Sequence, residues 1–262
     1  MPFTHLPQLF SRSECLATGV TARVLERAVH AGDVTRLAPC LYTAATGWDD
    51  LSAWERHRAL ARTAARLTPD AVVSHASAAA LLDLPMPTNP PPKATMTLLD
   101  DRRTSKADDW RQFHRGVTPY QHIWVDRGVP YFVPARIVID CLRDLSPGDA
   151  LAVLDAALGR GLVTGPDLVE ARKLQHRWPG IAIADRLLRL ADGRRESWLE
   201  SVSAWVMASW ELPQHIPQVN VWDAQGCFVA RVDNLWPELG VVGEADGLGK
   251  YLMDAKPGQS DE

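Results

Sequence analysis

The residues whose types and spacing could do chemistry lie towards the carboxyl end, in the stretch RVDNLWPELGVVGEADGLGKY at positions 231–251. Asp233 stands at the end of one strand-like run, and Glu244 with Asp246 stands at the end of the next. Like charges placed together cost free energy unless a cation or a proton joins them, and hard divalent cations prefer oxygen ligands. The spacing therefore indicates affinity for a divalent metal ion. The alternative is that the Asp-Asn and Asp-Gly pairs only form turns at strand ends.

One helix and three strands would hold these carboxylates in place. The sequence predicts a helix at residues 196–210 and strands at residues 218–222, 228–233 and 239–244. The apolar stripe of the helix, which is expected to pack, consists of Trp198, Val202, Trp205, Val206 and Ser209. The opposite face carries Glu196, Glu200 and Ser203.

The amino-terminal part shows the pattern of two short helices followed by a hairpin. A helical run at residues 11–17 ends at Gly19, and Thr21 can cap a second helix at residues 22–30 that Gly32 stops. The second helix carries an apolar stripe of Val24, Leu25, Ala28 and Val29. Two β-prone runs follow at residues 34–37 and 41–43. Helix, turn, helix and hairpin is the order of a winged helix-turn-helix domain.

Four arginines are the candidate DNA contacts of such a domain. Arg23 and Arg27 lie on the polar face of the second helix, which would enter the major groove and contact bases or phosphates. Arg12 and Arg36 flank that helix and would contact the DNA backbone. An equally weighted alternative is that these arginines form an ordinary solvated surface.

The middle of the chain predicts a mixed sheet followed by helices. An Arg-rich amphipathic helix is expected at residues 53–67, and a second helix opens at Ser74 and His75. His75 is interpreted as a capping or core residue rather than a catalytic base. The proline-rich stretch at residues 85–92 must be extended. Strands are expected at residues 95–99, 122–125 and 131–133, and helices through residues 135–192.

Composition excludes several classes of protein. The 262 residues carry a net charge of −4, with 8 Arg against 6 acidic residues at positions 1–66 and 5 basic against 11 acidic residues at positions 193–262. A duplex-binding surface is therefore expected at the front of the chain. The four dispersed cysteines form no zinc motif, and no nucleotide-binding motif is present. The absence of a signal pattern and of a long apolar run predicts a cytoplasmic location.

Several short motifs occur together in one order, which makes a resemblance specific although each motif is weak alone. They are FSRSECLATGVTARVLERAVHAGDVTRL, SHASAAALLDLPMP, AVLDAALGRGL, RRESWLES and RVDNLWPELGVVGEADGLGKY. In this order they resemble the AbiEi-type antitoxins of type IV toxin–antitoxin systems. The resemblance implies an α+β fold with a winged helix-turn-helix at residues 1–50, a mixed α/β region at 51–192 and a restriction-endonuclease-like α/β domain at 193–262.

The resemblance also implies roles for the acidic residues. In restriction-endonuclease-like domains a helical Glu, a strand-end Asp and a Glu-x-Lys motif hold one or two Mg²⁺ ions. By motif, Glu200 is the helical acid, Asp233 the first metal ligand and Glu244 the second. Mg²⁺ at Asp233 and Glu244 would be the cofactor of catalysis, whereas DNA binding by the winged helix requires none.

The chain departs from the family pattern at three places. Asp246 occupies the position of the expected lysine, so Lys250 is the nearest substitute for a catalytic base. Cys40 stands in the wing where relatives usually have Gly. Family members also continue through a further helix and strand, so the last domain is expected to be truncated. These departures favour a vestigial acidic site over an active one.

The expected function is therefore that of a DNA-binding regulator. The resemblance implies an antitoxin that binds double-stranded DNA, represses its own promoter and counteracts a nucleotidyltransferase-like toxin without a stable complex, as a homodimer. The alternative function is a Mg²⁺-dependent endonuclease that uses Asp233 and Glu244. A third hypothesis is a scaffold whose tryptophan-rich back region contacts other proteins.

Overall fold

The computed structural model describes residues 2–44, 46–87, 89–99, 107–116 and 119–246. Helices and three separate sheets occur along the chain, largely in runs of helices and runs of strands, which agrees with the α+β class. The chain divides into two compact units, Met1–Asp140 and Cys141–Glu262. Within the described ranges, every helix is too short or too polar to cross a membrane.

The front of unit 1 contains the predicted helices and hairpin. Its elements are β1 (Phe10–Ser11), α1 (Arg12–Ala17), α2 (Ala22–Ala31), β2 (Thr35–Ala38) and β3 (Leu41–Thr43). The three strands form an antiparallel sheet in the order β1-β3-β2. The Thr21 hydroxyl accepts a hydrogen bond from Val24 N, and Gly32 ends α2 in the left-handed conformation at φ +81°. The predicted cap and stop of α2 are thus confirmed.

An aromatic cluster packs α2 against the small sheet. The Phe10 ring stacks on Phe3 at 6.3 Å and on Tyr42 at 5.9 Å between centroids. Leu25 and Ala28 of α2 are buried in the same core, whereas Val24 is 37% exposed. Val24 was therefore wrongly assigned to the buried stripe, because the core-facing face is narrower than the run of apolar residues.

The rest of unit 1 is built on a five-stranded mixed sheet with the order β6-β5-β4-β8-β7. Its elements are α3 (Ala53–Leu67), β4 (Ala71–Val73), α4 (His75–Leu81), β5 (Ala94–Leu98), β6 (Arg111–His114), β7 (Ile123–Asp126) and β8 (Val129–Phe132). Two of its pairings, β4 with β8 and β5 with β6, are parallel. The mixed sheet was predicted, but β4 and β6 were not.

A buried histidine lies between α3 and α4. His57 Nε2 lies 2.8 Å from Ser77 Oγ, and Ser77 Oγ also accepts a hydrogen bond from Thr95 N at 2.8 Å. Burial lowers the pKa of His57 to about 4, because the interior disfavours the charged imidazolium. His57 is therefore neutral in the folded protein near neutral pH.

Unit 2 is helical at first and ends in a three-stranded sheet. Helix α5 (Pro134–Asp144) contains the division between the units, and the elements of unit 2 that follow are α6 (Pro147–Gly159), α7 (Gly165–Lys173), α8 (Ile181–Leu190), α9 (Trp198–Ser209), β9 (Ile216–Trp222), β10 (Phe228–Trp236) and β11 (Val241–Gly243). The sheet has the antiparallel order β11-β10-β9. The predicted strands are confirmed with shifted ends.

The buried face of α9 is not the predicted apolar stripe. Glu200, Ser201 and Ala204 are buried, whereas Trp198 and Val206 are each 38% exposed. The reason is a polar cluster around Asp155 of α6, which is 1% exposed. Asp155 accepts hydrogen bonds at 2.8 Å from Ser201 Oγ, from Arg195 Nη1 and from Asp192 N. Hydrogen bonding to Asp155 thus selects which face of α9 packs inwards.

Two glycines hold the turn before α9 against α6. A Cβ atom on Gly159 would lie 2.5 Å from Gly193 O, and a Cβ atom on Gly193 would lie 2.8 Å from Gly159 N. Real Cβ atoms do not approach backbone this closely, so both positions require glycine. This contact fixes where the segment leading to Arg195 and α9 begins.

Candidate functional site

The acids of the carboxyl-terminal sheet are brought together by the pairing of β10 with β11. Asn234 lies opposite Gly243, so Asp233 and Glu244 occupy neighbouring places on adjacent strands. Asp233 lies inside β10 rather than at its end, because β10 continues to Trp236. The predicted proximity of Asp233 and Glu244 is confirmed, and the predicted end of the strand at Asp233 is wrong.

Glu200 joins this pair through the side chain of Gln218 on β9. Gln218 Nε2 donates to Glu200 Oε2 at 2.8 Å and to Asp233 Oδ1 at 3.0 Å. Gln218 has a φ of +55°, a conformation that costs a non-glycine residue free energy. The hydrogen bonds of the Gln218 side chain to two acidic residues hold its backbone in this strained conformation. We name the side chains of Glu200, Gln218, Asp233 and Glu244 the acidic cluster.

The backbone supplies further donors to the acidic cluster. Glu196 N donates to Glu200 Oε2 at 3.1 Å, and Ala245 N donates to Asp233 Oδ2 at 2.9 Å. Ser197 caps α9 and accepts a hydrogen bond from Glu200 N at 3.2 Å. Glu200 is only 5% exposed. Its carboxylate is thus held in the interior by neutral donors rather than by a positively charged partner.

Glu244 has a pKa above its ordinary value. Its pKa is raised by burial, then by the charge of Asp233 and by a hydrogen bond with the Asp233 side chain, while Asp246 adds a smaller repulsion. Two carboxyl groups in contact share a proton more readily than they both ionise. The pair can therefore take up a proton or, in its place, a cation.

The fit of the cluster to a divalent metal ion is partial. Asp233 and Glu244 match the one or two carboxylates that Mg²⁺ uses when it retains water ligands. Hydrogen-bond donors already contact Glu200 Oε2 and both oxygens of Asp233, so an ion would compete with them. Within the described residues, no three His, Cys, Asp or Glu side chains form a group that could hold a metal ion. Lys250, the candidate base, lies outside the described residues.

The four candidate DNA-binding arginines are all exposed in unit 1. Arg23 and Arg27 are one helical turn apart on α2, and Arg36 lies on β2 opposite Tyr42. Arg12 Nη2 lies 3.8 Å from Glu26 Oε1, a long ion pair that bulk water weakens. The ion pair thus places Arg12 beside α2.

Gln218 is the member of the acidic cluster that had no assigned role in the sequence. Neither the periodicity of the strand nor the spacing of a known motif marks this glutamine as a functional residue. The sign that could have identified it is its place among carboxylates, which requires the pairing of β9 with β10 to be known.

Comparisons with known proteins describe relatives without an assigned activity. No family model matches the chain. Two proteins of Mycobacterium tuberculosis, Uncharacterized protein Rv2248 of strain H37Rv and Uncharacterized protein MT2308 of strain CDC 1551, are each 34% identical to it over 115 residues. The matched segment covers 44% of this chain and 42% of each relative. The chain is thus similar to less than half the length of these relatives.

Proposed function

We propose that the protein is a DNA-binding transcriptional regulator of the antitoxin type. It binds double-stranded DNA through a winged helix-turn-helix made of α1, α2, β2 and β3, and represses its own promoter. Its functional partner is a nucleotidyltransferase-like toxin with which it forms no stable complex. The paired sites of most winged-helix operators favour a homodimer.

The observation that carries the proposal is the exposed arginine pair of α2. Leu25 and Ala28 anchor one face of α2 in the aromatic core, which leaves Arg23 and Arg27 on the solvent face. A recognition helix needs this division, because its buried face sets the angle of entry and its outer face reads the groove. The hairpin of β2 and β3, which carries Arg36, supplies the adjoining wing.

A gel-shift titration with the upstream intergenic DNA tests the proposal. Replacing Arg23 and Arg27 together by Ala should weaken binding and lower the slope of log affinity against log salt by about 2, one unit for each lost phosphate contact. Arg62→Ala, at an exposed position of α3, is the matched control and should bind like the wild type. Unchanged affinity of the double variant, with its circular dichroism intact, would refute the recognition role of α2.

The acidic cluster favours a second candidate, a Mg²⁺-dependent endonuclease. Asp233 and Glu244 would hold the ion, which when bound would lower the pKa of a bound water and neutralise charge on the scissile phosphate. The observation in its favour is that Asp233 and Glu244 lie side by side on β10 and β11, where burial and then the charge of Asp233 raise the pKa of Glu244. Plasmid incubated with Mg²⁺ or Mn²⁺ should be cut by the wild type and by the exposed control Glu238→Gln but not by Asp233→Ala. Equal cleavage by all three would indicate contamination.

A further inference from the structure

Unit 2 contains a cavity that shares no lining residue with the acidic cluster. It lies between the carboxyl end of α8, the turn at Asp192, the later part of α9 and the segment that leads into β9. Its volume is about 140 Å³. A water molecule occupies about 30 Å³ of liquid, so the cavity could hold several waters or one small ligand.

Among the described residues, two buried nitrogen atoms on its lining side chains have no hydrogen-bond partner. They are Arg195 Nε and His215 Nε2, and both side chains line the cavity. A buried donor that loses its water without gaining a partner destabilises the fold, so such atoms are rare in folded proteins. Two of them at one cavity indicate that something polar belongs there.

Arg195 is held rigidly for this role. Its Nη1 atom donates to Asp155 Oδ2 at 2.8 Å and to Leu190 O at 3.1 Å, and the residue is 7% exposed. These bonds fix the plane of the guanidinium and leave the Nε–H as a spare donor. A fixed guanidinium matches the geometry of carboxylate and phosphate oxygens.

The charges around the cavity favour an anion. Arg189 is a second positively charged lining residue. The lining acid, Asp192, is occupied by Arg194, whose Nε and Nη2 atoms donate to its two oxygens at 2.9 and 2.6 Å. The pKa of His215 is lowered by burial and then by the charge of Arg195, so the ring can present a neutral Nε2–H donor.

We propose that this cavity is a binding site for a small oxyanion, a phosphate or carboxylate group, which accepts hydrogen bonds from Arg195 Nε and His215 Nε2. An oxyanion accepts hydrogen bonds from both spare donors at once, and Arg189 adds positive charge to the lining. The site lies wholly in unit 2 and does not depend on DNA binding by α2.

Nitrogen-detected NMR of the histidine rings tests the site directly. Inorganic phosphate should shift the His215 signal in a saturable way and raise the apparent pKa of His215 by about 1 unit, because a nearby anion favours the imidazolium. Acetate tests a carboxylate ligand, and a short DNA duplex tests a backbone phosphate as the source of the same group. Sodium chloride of equal ionic strength is the control, and the remaining histidines serve as references.

Two variants make the test specific. Arg195→Lys keeps a cation beside Asp155 but removes the Nε–H, and should abolish the phosphate-induced shift of His215. Phosphate should also raise the temperature at which the wild type unfolds. The ring centroids of His215 and Trp236 lie 5.4 Å apart, and His215→Phe keeps a ring at this place. This variant should lose the rise in unfolding temperature. Arg177→Lys, an exposed position of the same unit, should behave like the wild type. No saturable response to phosphate, acetate or DNA, or an equal response to chloride, would overturn the proposal.

Discussion

Gln218 joins two acidic side chains of unit 2 that belong to different elements. Its amide nitrogen contacts carboxylates of two different elements, Glu200 of α9 and Asp233 of β10. Without a donor between them, these two acids would repel one another and Glu200 would be buried with a single remaining partner, Glu196 N. The amide of Gln218 thus links α9 to β10 by hydrogen bonds to two acidic side chains.

Replacing Gln218 by Met keeps the shape of the side chain and removes its donor. We expect this change to lower the free energy of unfolding by about 2 kcal/mol at neutral pH, because charged acceptors lose a hydrogen bond. Urea denaturation measures this loss, with Gln225→Met in an exposed turn as the control. An equal loss in both variants would contradict the bridging role of the Gln218 amide.

Cys40 has a left-handed backbone conformation, with a φ of +60°. Glycine adopts this conformation without the contact between Cβ and the carbonyl oxygen, although it loses more backbone entropy on folding. Cys40→Gly should therefore raise the free energy of unfolding by about 0.5–1 kcal/mol. Thermal unfolding under reducing conditions measures this, and Cys227→Gly, at an exposed position where φ is not positive, should give no gain.

At the scale of elements, features set by neighbouring residues could be predicted from the sequence, whereas features set by contacts between distant residues could not. The limits of α3 agree with the prediction, because Ser52 and Glu55 form a capping box that can be recognised in sequence. The strands β4 and β6 were missed, since three or four residues give no measurable period. The buried face of α9 was wrong, because Asp155 lies more than forty residues earlier and no local pattern links it to Ser201.

Replacing Ser201 tests whether its hydrogen bond to Asp155 sets the buried face of α9. Ser201→Ala should cost about 1.5–3 kcal/mol of stability, because the buried Asp155 carboxylate loses a donor. Ser203→Ala on the other side of the helix should cost much less. Chemical denaturation of the two variants compares them, and equal costs would mean that helix propensity rather than the Asp155 cluster explains the result.

At the scale of the whole molecule, mild acid should destabilise the fold through its buried histidines. The pKa of His57 is lowered to about 4, while the unfolded chain binds the same proton near pH 6.5. The unfolded state therefore binds more protons between these values, and stability falls as pH falls through this range. The pKa values of His122 and His215 are lowered in the same direction by burial.

The expected loss from His57 alone is about 2 kcal/mol between pH 7 and pH 5. His57→Gln should flatten the dependence of unfolding free energy on pH over this interval by that amount, even though it lowers stability at pH 7. Urea denaturation at both pH values measures the difference. A pH dependence in the variant as steep as that of the wild type would contradict this origin of the acid sensitivity.

The contact between Gly159 and Gly193 limits which substitutions these two positions can tolerate. Each added side chain would strike the backbone of the other residue, and backbone cannot be trimmed by a second mutation. A substitution at one glycine is therefore beyond rescue by any change at the other. Random mutagenesis with selection for folded protein should therefore leave both positions unvaried. The two glycines also fix the position of the segment that carries Arg195 and leads into α9.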